Sequence, residues 1–358
     1  MNDNALRPFF GNRIKHSREL AEWHSEAFPE PVIEPEIAIV DAHHHLYGDA
    51  ADVHHYLLDE LTADIASGHK ILGTVYVEAY RAGWYTNGPA MLRSTGEVER
   101  IVRLTSPSGT KPDTRCRVAN AIVSFVDLTW GDRVASALDV HMNAAQGRLR
   151  GVRQQATWDG GKVGRYISNC PTPNLLNDRR FKRGYAQLHK YGLSFDAAVY
   201  HTQLDDVASL ADEFPDVPIA LNHIGIPIGV EEYGQNRKHV FNQWRADMRK
   251  LALRSNINVK IGGMGMAVLG FGFEAGKQPA NSTALADAWT PFILTCIETF
   301  GSDRCMFESN FPVDKQSCSY VSLWNAYKIA TRSLSQSERE EVFARTAARV
   351  YRLPELGL

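Results

Sequence analysis

The chain has 358 residues, 44% of them apolar, and its 39 basic side chains are nearly balanced by 41 acidic ones for a formal charge of −2. That length can bury a sizeable core, and so even a charge balance gives no global field to draw in nucleic acid or an anionic membrane surface. No apolar run approaches the roughly 18–20 residues of a membrane-spanning helix, and the polar stretch from Met1 to Pro35 lacks the apolar core of a signal peptide. The expectation is a cytoplasmic protein with a small-molecule substrate and neither a nucleic-acid nor a membrane partner.

Taken in chain order, short β-branched runs alternate with longer helical segments, the pattern of βα units around a parallel sheet. A run over 37–42 precedes a helix over 57–67, and 71–77 precedes 89–104. The runs 119–126 and 149–155 are followed by helices over 134–146 and 178–191. The second half repeats the alternation: 193–200 with 204–214, 218–221 with 240–254, 259–261 with 282–300, and 305–307 with 320–331. Eight such pairs predict an α/β chain folded as a (β/α)8 TIM barrel, with a doubly wound open sheet as the alternative.

A barrel of about 250 residues leaves roughly 108 over. They are assigned to an N-terminal arm (1–36) before the barrel domain (37–334), to a C-terminal helical extension of that domain (335–358), and to long loops after the fourth, sixth and seventh strands. The arm segment from Arg7 to Phe28 suggests packing on a neighbouring subunit, hence a homodimer, or across the barrel bottom. Five cysteines (Cys116, Cys170, Cys296, Cys305, Cys318) form no C-x-x-C pair and read as reduced packing residues.

The chemistry gathers at strand ends. Asp41-Ala42-His43-His44-His45 closes the first run, and the period of two places His43 and His45 on one face, where they can grip one metal ion. Asp41 shares that parity and is a candidate to orient a histidine or sit beside the metal. The fifth and sixth runs end in His201 and His223, so two further strands deliver imidazole to the same rim. Glu78 and Tyr80 after the second run, Arg153 on the fourth and Tyr200 on the fifth are candidates for substrate binding. The run Gly262-Gly263-Met264-Gly265-Met266 lacks the Lys and Ser/Thr of a phosphate loop and reads as a flexible apolar lid.

On these residues, with Asn222-His223-Ile224-Gly225 and Met306-Phe307-Glu308-Ser309-Asn310-Phe311-Pro312, the chain resembles the amidohydrolase superfamily. The resemblance, from about Ile37 to Leu353, is to its amidohydrolase-related branch of metal-dependent barrel hydrolases, which includes sugar lactonases and pyrone-dicarboxylate lactonase. It implies that His43, His45 and His201 ligate a divalent metal, zinc before manganese, and that His223 polarises the substrate or also reaches the metal. One departure stands out: Asn310 occupies the position where the family carries a metal-binding or water-activating aspartate, and an amide takes up no proton at neutral pH. Glu308, two residues earlier on the same strand face, and Asp314 on the rim are the replacement carboxylates, and metal-free working stays open. Glu308 has a competing structural role as the partner of Arg153 or Lys260.

The expected function is metal-dependent hydrolysis of a lactone or related ester of a small carboxylated, hydroxylated or aromatic-derived compound. His223, Glu308 and Asp314 would be catalytic and Asn310 a fourth metal position. The alternatives are a metal-dependent decarboxylase of an aromatic or muconate-type acid, which needs no hydrolytic base, and a non-catalytic small-molecule binding protein.

Overall fold

Each of the eight β-branched runs forms a strand: β1 Ala38–His44, β2 Lys70–Val77, β3 Arg117–Ser124, β4 Leu149–Val152, β5 Ser194–Ala197, β6 Ile219–Leu221, β7 Ile257–Ile261 and β8 Cys305–Phe307. The computed structural model describes residues 9–11, 15–79, 81–106, 116–166 and 171–358; Tyr80 and Cys170 lie outside them. The strands pair in parallel and in sequence order. The ring closes where the Asn310 N–H donates to the His43 carbonyl (2.9 Å) and the His45 N–H to the Phe311 carbonyl (2.8 Å). This is the (β/α)8 barrel.

Helices Leu58–Ile65, Thr95–Leu104, Val134–Ala144, Arg179–Tyr185, Leu204–Glu213, Arg237–Leu251, Ser282–Phe300 and Tyr320–Ala330 follow the strands in turn. Several begin where short polar side chains cap the free N–H groups. Asp178 accepts from Arg180 and Phe181, Asn281 from Ala284, and Ser319 from Ser322. The apolar stripe of Thr95–Leu104 (Val98, Ile101, Val102) shows the usual division of faces, buried against the sheet.

Inside the barrel the wall is of two kinds. Val40, Ala42, Val75, Val77, Ala121, Val123 and Met306 form an apolar half, while Asp196 of β5 and Lys260 of β7 form a fully buried ion pair at 2.6 Å. The C-terminal tail plugs this interior from below: Ala344, Ala347 and Leu353 pack on the apolar half, and the Tyr351 hydroxyl donates to Asp196 at 3.1 Å. Lys260 therefore pairs with Asp196, not with Glu308.

Among the described residues, the N-terminal arm does not cross the barrel bottom. Its helix Ser17–Ser25 and flanking residues lie on the opposite face, among the loops that follow the strands. Trp23 Nε1 donates to the Gly276 carbonyl (3.0 Å), His24 Nε2 meets the Lys315 carbonyl (2.8 Å), and the Phe9 N–H donates to Glu231 (2.8 Å). Gly276, Lys315 and Glu231 follow β7, β8 and β6, so the arm covers the end where barrel active sites form. The bottom is already taken by Tyr351 and its neighbours. Cys116, Cys296, Cys305 and Cys318 are buried free thiols, and no helix among the described residues is long and apolar enough to cross a membrane.

Candidate active site

The strand period alone does not govern β1. Its pairing with β2 shifts between Asp41 and His44, and the bulge breaks the shared face expected of Asp41, His43 and His45. Ala42 points inward, while Asp41 turns to the outer layer. There it accepts from the Ser309 N–H (2.8 Å) and from the Tyr320 hydroxyl (3.1 Å). Asp41 therefore ties β1 to the segment after β8 and orients no imidazole. Burial raises its pKa to about 6 against these donors.

His43 and His45 do converge, their Nε2 atoms 3.2 Å apart. Glu308 is the hub beneath them. Its Oε1 accepts from His223 Nδ1 (2.6 Å) and from the His223 backbone N–H (3.1 Å), and its Oε2 lies 2.8 Å from His43 Nδ1. That second contact is too oblique for a straight hydrogen bond, so it acts chiefly through charge. Arg153 pairs with Glu78 (Nε to Oε1, 2.7 Å), which leaves Glu308 to the histidines.

These partners set the tautomers. A carboxylate oxygen beside His43 Nδ1 requires the proton there, and His45 Nδ1 donates to the Val77 carbonyl at 2.8 Å. Burial, foremost, lowers both pKa values well below the usual histidine range, so both rings are neutral and both Nε2 lone pairs face one another. Two lone pairs at 3.2 Å repel unless positive charge stands beside them; Arg153 Nη1 is 3.3 Å from His43 Nε2, and neighbouring ligands of one tetrahedral zinc lie about 3.3 Å apart. The donor set therefore fits a divalent cation. His43, His223 and Glu308 also offer ligand atoms within 4.8 Å of one another. Their 2.6 Å contact, however, is hydrogen-bond spacing, so Glu308 is better described as the support of the imidazoles.

The remaining predicted residues take varied places. His201, at the end of β5, accepts the Ile228 N–H at Nδ1 (3.3 Å) and sets its ring edge on Tyr233. Its proton is thus on Nε2, so in this tautomer it offers an N–H rather than a lone pair, and burial lowers its pKa to about 4. Among the described residues no hydrogen bond or ring contact joins it to His43, His45 or His223. Tyr200 is buried beside it. Asn310 does not continue the alternation from Glu308, because β8 ends at Phe307 and Asn310 has φ 53°. Its amide instead donates to Asp314 Oδ1 (2.9 Å), whose Oδ2 accepts the Gly265 N–H (2.9 Å). Burial raises Asp314 to about 8, so it is mostly protonated at neutral pH.

The glycine run after β7 is a close-fitting wall, not a lid. A Cβ at Gly262 would stand 2.3 Å from Glu308 Cγ, one at Gly263 (φ +64°) 2.5 Å from His223 Cγ and Nδ1, and one at Gly265 2.9 Å from Asp314 Cγ. Met264 between them is fully buried. Sequence reasoning also passed over Glu97. Its carboxylate collects the Tyr76 hydroxyl (2.7 Å), the Ala79 N–H (2.6 Å) and Trp84 Nε1 (2.9 Å), and so fixes the turn that follows Glu78. Burial raises its pKa to about 7. The available signal was an acid on the same helix stripe as Val98 and Ile101.

The amidohydrolase family model matches residues 113–353. An uncharacterized protein of Sinorhizobium fredii is 30% identical over 340 residues, 89% of this chain and 99% of that one. An L-fucono-1,5-lactonase of Burkholderia multivorans is 27% identical over 228 residues, 63% and 71% of the respective chains. A Burkholderia multivorans amidohydrolase solved with bound zinc superposes with a TM-score of 0.66 at 23% identity, covering 88% of this chain and all of that one.

Proposed function

The chain belongs to the amidohydrolase family, and on that premise we propose that it hydrolyses a lactone or related ester of a small carboxylated or hydroxylated compound. The observation that carries the reading is the pair of His43 and His45 lone pairs, 3.2 Å apart with both Nδ1 protons engaged. A lone binding site for an organic molecule has no use for two convergent, unprotonated imidazoles. The likeness to the lactonase supports an ester of a hydroxy acid as the substrate class.

A divalent cation held by His43 and His45, zinc before manganese, would polarise the carbonyl and acidify water. The chain's own residues supply the rest. With its Nδ1–H donated to Glu308 (2.6 Å), His223 presents the Nε2 lone pair, the nitrogen that takes the proton of the attacking water. The fully buried Glu308 carboxylate compensates the imidazolium that results, acting through His223 as the support of a general base. His201 Nε2–H stabilises the developing oxyanion. Arg153, braced by Glu78, holds an anionic group of the substrate. Water adds to the carbonyl carbon, the ring C–O bond breaks, and the alcohol oxygen leaves with the proton carried by His223.

Turnover of a lactone panel in 18O-labelled water, by protein expressed with zinc or manganese, tests the reading. One labelled oxygen enters each product, and His43→Ala/His45→Ala loses activity. Carbon dioxide release from an aromatic or muconate-type acid, with no labelled oxygen in the organic product, would establish the decarboxylase instead. Full activity in the double variant would refute the role of the histidine pair.

A further inference from the structure

Among the described residues, the Arg153 side chain makes three contacts at the site. Its Nε donates to Glu78 Oε1 (2.7 Å), its Nη2 to the Glu78 carbonyl, and its Nη1 stands 3.3 Å from His43 Nε2. The last contact meets the same atom that faces His45. An imidazole nitrogen that carries no proton has a single lone pair, in the plane of the ring, so it either accepts an N–H or binds a cation.

We infer that the Arg153 guanidinium and the divalent cation compete for the His43 Nε2 lone pair, so that cation loading turns Nη1 away from His43 and presents it to the anionic group of the substrate. This rests on the cation reading of the His43–His45 pair given above.

Charge sharpens the competition. A dication on His43 Nε2 would sit within a few ångströms of Nη1, in a buried setting where like charges interact strongly. The guanidinium is planar, so Nη1 cannot withdraw alone and the whole group tilts on its two bonds to Glu78. Those bonds are the shorter pair, and the His43 contact at 3.3 Å is the longest of the three, so that contact is the one to yield. A carboxylate of the substrate then replaces the imidazole as partner of Nη1. By reciprocity, an anion that engages Nη1 tightens cation binding by the same factor by which the cation tightens anion binding.

The test is calorimetric titration of zinc and of manganese, separately, into wild type, Arg153→Lys, Arg153→Met and His43→Ala, each first shown folded by circular dichroism. Losing a charge-assisted contact predicts about tenfold or more tighter cation binding in Arg153→Met. Arg153→Lys keeps the positive charge but not the planar fork, and binds the cation several-fold tighter than wild type. Tighter binding in Arg153→Met alone would mark a field effect without lone-pair competition and would overturn the inference, as would wild-type affinity in both variants. Arg153→Lys carries the test should the methionine variant not fold. Binding that survives unchanged in His43→Ala would overturn the cation reading itself, a separate failure seen on a separate variant.

Discussion

Replacing Gly263 by alanine tests whether the glycine run positions the base. The new Cβ would stand 2.5 Å from His223 Cγ and Nδ1, and relief to an ordinary contact near 3.4 Å moves the ring by about 0.9 Å. The His223–Glu308 hydrogen bond, 2.6 Å in the native chain, would stretch to roughly 3.5 Å and fail. A charge-assisted bond is worth about 1.5–3 kcal/mol, and alanine at φ +64° adds about 1–2 kcal/mol of left-handed strain. The total is about 3–5 kcal/mol. At an unfolding entropy of roughly 2.1 cal/mol/K per residue, that lowers Tm by about 4–7 °C. Displacing a general base costs about 10²-fold or more in rate, so kcat/KM on the best lactone falls at least that far. Gly192→Ala is the control: it has φ +60° with nothing within 4 Å of the new Cβ, so it carries the strain alone, about 2 °C, and leaves turnover intact. A Gly263→Ala variant with wild-type kcat/KM, or one whose Tm loss merely equals that of Gly192→Ala, would refute the positioning argument.

Two further outcomes follow from the buried charges. Burial raises Asp314 to about 8 and Asp41 to about 6 from the ordinary aspartate value of 3.8, so the folded chain keeps protons that the unfolded chain has released. Stability therefore falls as pH rises from about 4 through 8. Asp314→Asn removes part of that slope, and its Tm loss between pH 5 and 8.5 is smaller than that of wild type; parallel curves would mean that Asn310 and Gly265 already hold an ionised carboxylate. Lys260→Met leaves the buried Asp196 carboxylate without its cation inside the barrel, at a cost of about 3–5 kcal/mol. Adding Asp196→Asn, which keeps an acceptor for Tyr351, recovers most of the lost Tm, and an unchanged Tm in Lys260→Met alone would deny the pair its structural role.

The strands and helices were legible because each is a local matter: a β-branched run of the right length, a capped amphipathic segment, a turn. The convergence of His43 with His45 was legible for the same reason, since a spacing of two residues at a strand end leaves little freedom. What the strand period could not reveal was its own interruption. With Val40 and Ala42 facing inward, Asp41 points outward, and the β1 bulge that follows it turns His43 back inward; the left-handed backbone at Asn310 ends the parity that linked it to Glu308. Partner choice was also hidden, because Glu308, Arg153 and Lys260 come from β8, β4 and β7. Three acids and two cations on different strands can pair in several ways until the barrel's stagger decides. The glycines were visible as a run, but their purpose is set by His223, Glu308 and Asp314, which are 40 or more positions away.

The described part of the N-terminal arm and the C-terminal tail close opposite ends of the barrel with different chemistry. Below, Ala344, Ala347, Tyr351 and Leu353 are buried among the inward side chains of β1, β2, β3 and β8, so detaching the tail exposes core and strips Asp196 of a hydrogen bond. Above, among the described residues, the arm buries Phe9 and Leu20 and is otherwise held by polar contacts to the Glu274, Gly276 and Lys315 carbonyls and to the Glu231 and Gln316 side chains, while Phe28 is 86% exposed. Apolar burial near 25 cal/mol per Å² dominates such comparisons, whereas each hydrogen bond returns about 1 kcal/mol net. The arm therefore opens at a lower free energy than the tail. The weaker closure lies over His43, His45, His201 and His223, each less than a tenth exposed, while the stronger one seals the end that holds the structural ion pair.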